Sequence, residues 1–541
     1  MTSRASAAPA RAVARAGVRF LRTFEGTEPT DGILAAIRDG RATGVTLFRR
    51  RNVGSPAQVR ELSARLQAAR PEGAPPLLIG LDQEGGQLQA VGDGATAWPG
   101  NLALGATRSS ALTARFGRAL GAEAAAMGAT LVFAPVCDLL SADSATPLGT
   151  RPFGSDPELT GRLAAAEVAG IQDAGVAAVL KHFPGHGAAH GDSHLATPVV
   201  RASPASLRAN ELRPFEAGIR AGAVAVLPGH LAVPALTGGE AVPATVSRTI
   251  LEDLLRDELG FAGITVSDAM NMGGAGGGER LAEVLVAAAD AGMDVLLMAH
   301  GEVVEDAAFD AFVAAIRAGT LDAGRLARAQ ARILAARRAL AGDADRPPIE
   351  VVGCAAHREL AAEIARAAVT LVRDPHDALP LRPGANGRVA LVAPVPVDLT
   401  PAETSSYLRL ALPQALRERG VGVDELVMPL EPSAAEASAI AAAIAGHEAA
   451  IICLYDAVSF PGQAGLVRRV LAAAAADRPT VVVALRTPYD VAVVPDNVAV
   501  ACSYGIQAPQ MEALADALVG RIPFAGTLPV ALDGVARGGE A

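Results

Sequence analysis

Short apolar runs alternate with longer Ala-, Leu- and Arg-rich stretches of helical period between about residue 40 and residue 340. Short apolar runs bounded by turn residues are typical of buried strands, and their regular alternation with helices is typical of a parallel sheet or barrel. The predicted strands are Gly44–Phe48, Pro76–Leu81, Ala129–Pro135, Val176–Leu180, Ala223–Leu227, Gly263–Ser267 and Asp294–Met298.

The stretches between these strands carry helix boundary signals. Examples are SPAQVRELSARLQAAR, DPELTGRLAAAEVAGIQDAG and SRTILEDLLRDELG. Each opens with Ser or Asp, whose side chain can accept a hydrogen bond from the free N–H groups of a first helical turn, and glycine suits the end of a helix. Ser55, Asp156 and Ser247 are therefore predicted N-caps.

Polar residues follow the predicted strands in a consistent way. In a (β/α)8 barrel the carboxyl ends of the strands meet on one rim, where active sites are assembled from separate loops. A Rossmann-like sheet would instead carry a glycine-rich phosphate turn after its first strand, and no GxGxxG stands in that context. We therefore predict a TIM-like (β/α)8 barrel. The residues that follow strands are Asp82, Asp138, Lys181, His182, His230 and Asp268.

A second alternation begins after the Pro-containing, charged segment AGDADRPPIE, residues 341–350, which has the composition of a linker. Its predicted strands are AVTLVRD, RVALVAPV, AAIICLYDA, PTVVVALRTP and VAVACSYG. The chain is therefore predicted to divide into a barrel over residues 1–340, a linker over 341–350 and a separate α/β domain over 351–541.

The segment KHFPGHGAAHGDSH contains four of the nine histidines at every fourth position: His182, His186, His190 and His194. Imidazoles four residues apart share one helix face and can share a zinc ion. However, Pro184 and three glycines disfavour a helix, and Lys181 would place a positive charge beside the metal. The segment is predicted to be a loop, and no metal or other cofactor is expected.

Charge and cysteine content exclude several classes of function. The net charge of −10 and the lack of a basic stripe argue against general affinity for nucleic acid or for an anionic membrane surface. The four cysteines are far apart, which favours buried free thiols over a disulfide framework. No apolar stretch has the length of a signal sequence core or of a membrane span, so a cytoplasmic location is expected.

The predicted rim combines a carboxylate, an Asp-x-His pair and a set of basic and polar side chains. An aspartate such as Asp268, placed at the end of a buried strand, can act as a rigid nucleophile. His194, with Asp192 two residues away, can serve as a general acid that later acts as a base. Lys181 and Asp82 supply donors and acceptors for a polyhydroxylated substrate. Asp138 and His230 are assigned structural roles.

Five motifs, in order, resemble glycoside hydrolase family 3, and specifically its β-N-acetylhexosaminidase branch. They are LIGLDQEGG, GTRPFG (149–154), KHFPGHG with DSH (181–194), ELRPFEAGI (211–219) and PATVSRTILEDLLRDELGFAGITVSDAMNM (243–272). The resemblance covers about residues 18 to 340, and the second domain resembles the αβα sandwich that many members carry.

The resemblance implies a role for each matching residue. Asp268 would be the nucleophile, and His194 with Asp192 would form the acid/base dyad. The residues that would hold the sugar hydroxyls are Asp82, Arg151, Lys181 and His182. An ion-pair role for Arg151 is the alternative. The chain departs from the branch at Ala188 and Ala189, where a polar pair is frequent, and at Gln87, where Arg is frequent.

The implied reaction is a double displacement with retention, in which a glycosyl-enzyme ester forms and is then hydrolysed. The expected substrate is a muropeptide or chitooligosaccharide that ends in N-acetylglucosamine, and a cytoplasmic enzyme would suit peptidoglycan recycling. Because a neutral histidine base repels an anionic acceptor less than a carboxylate does, a phosphorylase remains an alternative. A β-glucosidase, a metal-dependent hydrolase and a non-catalytic sugar-binding protein are further alternatives; the oligomeric state is left open.

A chelator separates the metal-dependent alternative from the others. Prolonged treatment with EDTA followed by gel filtration is expected to leave the rate of sugar release unchanged, because the predicted chemistry uses only protein side chains. Loss of activity on chelation, with recovery on adding zinc, would contradict this expectation.

Overall fold

The first sheet is a closed barrel of eight parallel strands. The computed structural model describes residues 11–190, 196–275, 278–340, 346–384, 387–473 and 478–532. Each barrel strand pairs with the next along the chain, the last pairs with the first, and a bridge between Val266 and Val295 joins the seventh to the eighth. The strands are β1 (Phe20–Arg22), β2 (Gly44–Leu47), β3 (Leu78–Leu81), β4 (Leu131–Val132), β5 (Ala177–Phe183), β6 (Ala225–Pro228), β7 (Ile264–Thr265) and β8 (Leu296–Leu297).

Helices surround the barrel and connect its strands. Helices of four or more residues before residue 341 cover 11–17, Asp31–Arg38, Arg49–Asn52, Pro56–Ala68, Asn101–Thr107, Ser110–Ala126, Ala145–Leu148, Pro157–Asp173, Pro204–Ala209, Leu212–Arg220, Thr249–Glu258, Leu281–Ala291, Glu302–Ala318 and Ala323–Ala339. Two short hairpins lie at the carboxyl rim, one between Gln83–Gly85 and Leu88–Gln89, the other between Ala189–His190 and Val199–Val200.

All seven predicted barrel strands are present, although most are shorter than predicted. Strand β5 is instead longer than predicted. It continues past Leu180 to Phe183, so Lys181 and His182 lie on the strand itself rather than after it. The first strand, β1, was missed. Its sequence FLR ends in Arg22, which reads as a surface residue, but Arg22 is buried and its Nε lies 3.0 Å from Glu305 Oε2.

The second sheet has six strands in the order β9-β14-β13-β12-β10-β11, of which only β9 runs antiparallel to its neighbour. The strands are β9 (Thr370–Arg373), β10 (Arg388–Pro394), β11 (Gly422–Met428), β12 (Ala449–Leu454), β13 (Thr480–Ala484) and β14 (Ala499–Cys502). Strand β11 was missed because it is an edge strand whose side chains alternate between buried and exposed, which leaves no continuous apolar run.

Helices cover both faces of this sheet. Alternate residues of its central strands enter two separate apolar clusters, with Ile452 and Val482 in one and Ile451 and Val483 in the other. The helices are Ala355–Ala368, Leu412–Glu418, Ala434–Ile444, Gly462–Ala473 and Ala508–Leu518. A TIM-like barrel followed by an αβα sandwich is therefore confirmed. The exact boundaries at 340 and 350 stay a prediction, since 341–345 lie outside the described residues.

The predicted helix caps are correct in two of three cases. The side chains of Ser55 and Asp156 accept hydrogen bonds from the first turns of their helices. In the third case Ser247 directly precedes the helical residue Arg248 and has an extended backbone, as at an N-cap, but no side-chain cap bond is formed there. This helix has the wider π-helical winding, with the backbone oxygen of Ser247 rather than its hydroxyl receiving the N–H of Leu251.

Two further expectations concern cysteines and membrane helices. All four cysteines are free thiols; Cys137, Cys453 and Cys502 are buried, and Cys354 is half-buried. Within the described ranges, no helix combines the length and the hydrophobicity that crossing a bilayer requires.

The buried guanidinium of Arg486 joins the sandwich to the barrel. Arg486, which follows β13, places Nη2 2.7 Å from Glu403 Oε1, and both side chains are almost fully buried. The same guanidinium donates to the backbone oxygens of Ala145 and Thr146, at the carboxyl rim of the barrel, at 2.9 and 2.7 Å. Tyr489 also reaches the barrel, donating from its hydroxyl to Leu140 O at 3.0 Å.

Replacement of Arg486 is expected to weaken the union of the two parts. Arg486→Met leaves the Glu403 carboxylate buried and unpaired, which costs about 3–5 kcal/mol when a buried pair loses one partner. The transition of urea-induced unfolding, followed by circular dichroism, should move to lower urea, and a second change, Glu403→Leu, should restore part of the loss. Arg388→Met, which removes an exposed partner of Asp424, is the matched control; equal shifts in both variants would contradict the argument.

Candidate active site

A cavity of about 350 Å³ opens at the carboxyl rim of the barrel. Its floor includes Phe133 and Leu227, which belong to the apolar interior of the barrel, so the cavity is blind on that side. Residues 401–404 of the second domain line it as well. Five predicted site residues line the cavity: Asp82, Arg151, Lys181, His182 and Asp268.

A network of four buried or half-buried charges forms one wall of the cavity. Lys181, near the end of β5, places Nζ 2.8 Å from Asp82 Oδ1 and 2.5 Å from Glu84 Oε1. Arg151 binds the Glu84 carboxylate with two parallel hydrogen bonds, from Nε to Oε2 at 2.8 Å and from Nη2 to Oε1 at 2.9 Å. Glu84 thus bridges the two cations.

Burial alone would raise the pKa of Glu84, but Arg151 and Lys181 outweigh it and lower that pKa to about 2. Burial would likewise lower the pKa of Lys181, but the carboxylates of Asp82 and Glu84 raise it instead. Glu84 and Lys181 therefore both stay charged at neutral pH. Arg151 is an ion-pair partner of Glu84, as the alternative reading held, and it also lines the cavity.

His182 is held in one orientation by Asp138. The imidazole Nδ1 lies 2.7 Å from Asp138 Oδ2, and the backbone N–H groups of His182 and His186 donate to Asp138 Oδ1 at 3.2 and 2.6 Å. With Nδ1–H committed to Asp138, the other ring nitrogen, Nε2, can accept from Arg151 Nη2 at 3.4 Å. Burial would raise the pKa of Asp138, but His182 outweighs it and lowers that pKa to about 2.

Asp268 lies three residues beyond β7, on the segment that leads from the strand into the following loop. Its Oδ1 accepts a hydrogen bond from the backbone N–H of Ala269 at 2.8 Å, which favours the ionised carboxylate. His230, which is fully buried, places Nε2 3.1 Å from the backbone oxygen of Ala269 and Nδ1 2.9 Å from Thr245 Oγ1. This contact fixes the backbone beside Asp268.

The predicted acid/base residues, Asp192 and His194, lie outside the described residues. The residues before them complete strand β5 at Phe183 and, after a turn, form the short strand Ala189–His190. The prediction that this stretch is not a helix is therefore correct. Within the described ranges, no group of three or more His, Cys, Asp or Glu side chains could hold a metal ion.

The sequence interpretation missed two contributors to this site. Glu84 stands inside the quoted LIGLDQEGG motif but was given no role, although it pairs with both cations of the wall. Asp138 was assigned a structural role, and the structure makes it the residue that orients His182. Its position directly after a strand, like that of Asp82, was the available signal.

Gln87, which stands where the family branch often has Arg, forms structural hydrogen bonds. Gln87 Oε1 accepts from the backbone N–H of Thr150 at 2.7 Å, next to Arg151. Its backbone oxygen accepts from the N–H and the hydroxyl of Thr404 at 2.7 and 3.0 Å. Gln87 therefore connects the Arg151 segment to the second-domain loop that lines the cavity.

Comparison with known proteins identifies similar chains. Residues 18–336 match the family model described as Glycosyl hydrolase family 3 N terminal domain. The Beta-hexosaminidase of Stenotrophomonas maltophilia (strain K279a) is 38% identical over 288 residues, 52% of this chain and 83% of that protein. The Beta-hexosaminidase of Xylella fastidiosa (strain 9a5c) is 39% identical over 277 residues, 50% of this chain and 80% of that protein.

A solved structure matches both parts of the chain. The glycoside hydrolase family 3 beta-N-acetylglucosaminidase from Paenibacillus sp. str. FPU-7 has a TM-score of 0.88 at 32% sequence identity, and the match covers 96% of this chain and 98% of that one. The two-part architecture is therefore shared over the full length of that protein.

The charge network predicts a distinctive response to acid. Because the pKa of Glu84 falls from its usual value near 4.5 to about 2, its contribution to folding stability is present above pH 4.5 and is lost as the pH falls toward 2. Glu84→Gln should therefore be less stable than the parent chain at pH 7 in urea unfolding, and the difference should shrink between pH 4.5 and pH 2.

Glu258→Gln is the matched control, because Glu258 pairs with Arg208 on the surface. Its unfolding midpoint should stay close to that of the parent chain at pH 7. A difference between Glu84→Gln and the parent that grows on acidification would contradict the assigned pKa shift.

Proposed function

Because the chain belongs to glycosyl hydrolase family 3, as its motifs predicted, we propose that it is a retaining β-N-acetylglucosaminidase that removes terminal N-acetylglucosamine. The observation that carries the proposal is the shared cavity: Asp268 lines it together with the ion network of Lys181 and Arg151. The names of the relatives, Beta-hexosaminidase and beta-N-acetylglucosaminidase, support this specificity.

Asp268 is the proposed nucleophile. Its carboxylate attacks the anomeric carbon of the terminal sugar, the bond to the leaving oxygen breaks, and a glycosyl-enzyme ester forms. The N–H of Ala269 stabilises the negative charge of the waiting carboxylate, and His230 holds Ala269 in place. A nucleophile fixed in this way needs little reorganisation before attack.

His194 and Asp192 are the proposed acid/base dyad. They lie outside the described residues, and the assignment is supported by the DSH motif of the family branch. Protonated His194 gives its proton to the leaving oxygen in the first step, and neutral His194 removes a proton from water in the second. Asp192 would orient the imidazole and favour its protonated form.

Asp82, Arg151, Lys181 and His182 are the proposed ligands of the sugar hydroxyls. Lys181 keeps a third donor hydrogen when two are committed to Asp82 and Glu84. Asp82 retains acceptor capacity, since 29% of its side chain is exposed at the cavity. The apolar floor under these groups accepts one end of a saccharide, which suits removal of a single terminal sugar.

The proposed natural substrate is a muropeptide or a chitooligosaccharide, and the proposed role is peptidoglycan recycling in the cytoplasm. Four free cysteines fit a reducing compartment. The test is cell fractionation with an antibody against the chain: activity and antigen should both stay with the cytoplasmic fraction, and recovery outside it would contradict the location.

Substitution of the nucleophile gives the main test of the reaction. Asp268→Ala should lower the release of nitrophenol from the β-N-acetylglucosaminide by roughly a thousandfold or more, because the variant lacks the carboxylate on which the proposed ester forms. Circular dichroism should show an unchanged fold. Asp93→Ala, at an exposed aspartate, is the matched control and should keep full activity.

The same assay separates the alternatives. The parent chain should prefer the acetamido sugar to the β-glucoside and should be indifferent to phosphate. Strong stimulation by phosphate with sugar 1-phosphate as product would identify a phosphorylase instead. Binding of N-acetylglucosamine in calorimetry without turnover would identify a sugar-binding protein.

A further inference from the structure

Three consecutive arginines follow strand β2 and line the cavity: Arg49, Arg50 and Arg51. Two of them have carboxylate partners. Arg50 Nη2 lies 2.7 Å from Asp398 Oδ2, and Arg51 Nε lies 3.3 Å from Glu25 Oε1. The other cations of the cavity, Lys181 and Arg151, are neutralised by Asp82 and Glu84.

Arg49 differs from these residues. Among the residues that the structure describes, no carboxylate lies within salt-bridge distance of its guanidinium. Its contacts are a hydrogen bond from Nη1 to the backbone oxygen of Gln89 at 3.2 Å and the ring of Tyr407, whose centroid lies 4.2 Å from Cζ. A guanidinium has five N–H donors, so most of them remain available to a ligand.

The position of this guanidinium is fixed by its surroundings. Tyr407 belongs to the short helical turn Ser405–Tyr407, directly after the second-domain segment that lines the cavity. That turn is itself held by Asp398, which accepts from the N–H and the hydroxyl of Ser406 at 2.8 Å each. On the other side, a methyl group on Gly92 would overlap the Arg49 guanidinium, so the guanidinium lies directly against the backbone there.

Arg49 is half-buried and lies beside a partly exposed side chain. Its ring partner Tyr407 is 48% exposed, whereas Phe133, on the floor, is buried within the barrel. A terminal N-acetylglucosamine carries no charge, so it offers no anionic partner to a guanidinium. A planar guanidinium held on an aromatic face is suited to bind a carboxylate with two parallel hydrogen bonds.

We propose that Arg49 is a specificity residue that binds a carboxylate on the leaving part of the substrate, and that the preferred substrates therefore carry an acidic group next to the terminal sugar. The proposal rests on the proposed glycosidase function. It selects, among the two proposed substrate classes, the muropeptide type, in which the lactyl ether or an attached peptide supplies a carboxylate, over the neutral chitooligosaccharide.

The test compares two substrates that differ only in charge. They are the disaccharide of N-acetylglucosamine β-1,4-linked to N-acetylmuramic acid and its lactyl methyl ester. For the parent chain, kcat/KM should be higher for the acid. In Arg49→Gln the ratio of kcat/KM for acid over ester should fall about tenfold, mainly through KM, because one charge-assisted contact made equally in ground state and transition state is lost.

Gly92→Ala is a second variant that keeps the charge but displaces the guanidinium, and it should lower the same ratio. Arg65→Gln, which removes a surface partner of Glu28, should leave the ratio unchanged. Raising the salt concentration should lower the ratio in the parent chain and have little effect in Arg49→Gln. A purely structural role of Arg49 would lower both rates equally and leave the ratio intact.

The outcomes separate this proposal from the function on which it rests. An acid-to-ester ratio that is the same in the parent chain, Arg49→Gln and Gly92→Ala, with sugar still released, would overturn the role of Arg49 and leave the glycosidase standing. Failure of the parent chain to release sugar from either disaccharide and from the chromogenic β-N-acetylglucosaminide would overturn both.

Discussion

The carboxylate of Glu84 is the interaction on which the site depends. Lys181 and Arg151 would repel each other in a buried wall without the anion between them. Because Arg151 binds that carboxylate through two hydrogen bonds, the plane of its guanidinium is fixed, and a second N–H of Nη2 can reach His182. Asp138, which binds the other ring nitrogen of His182, completes this network. The network presents a defined set of donors and acceptors to a sugar.

The second constraint is that the cavity has walls from both parts of the chain. The barrel supplies the floor and the charged wall, and residues 401–404 of the second domain also line the cavity. The pair of Arg486 and Glu403 secures this segment, and Gln87 links it to the backbone beside Arg151. Curated relatives align with about half of this chain, at 52% coverage for the Stenotrophomonas protein, whereas the Paenibacillus structure matches 96% of it. The shape of the outer cavity is therefore a property of the two-part form.

Most of the fold and part of the site could be predicted from the sequence. Buried parallel strands appear as continuous apolar runs, so seven barrel strands and five sandwich strands could be recognised. Strand β1 could not, because its buried Arg22 is stabilised by Glu305, a partner almost three hundred positions away. The motifs identified Asp82, Lys181, Arg151, His182 and Asp268, which the fold brings to one cavity. The partners that orient them, Glu84 and Asp138, depend on side-chain geometry that spacing does not encode. That no carboxylate of the described part of the chain pairs with Arg49 is likewise visible only in three dimensions.

In the proposed reaction Asp268 forms a covalent bond to the sugar, and trapping that bond tests the reaction most directly. Incubation with a fluorinated N-acetylglucosaminyl fluoride, which slows the second step more than the first, should add one sugar mass to the protein. Peptide mass spectrometry should locate that mass on Asp268, within the peptide that follows β7. Attachment at a different carboxylate, or complete turnover of natural substrate by a chain that lacks Asp268, would contradict the account.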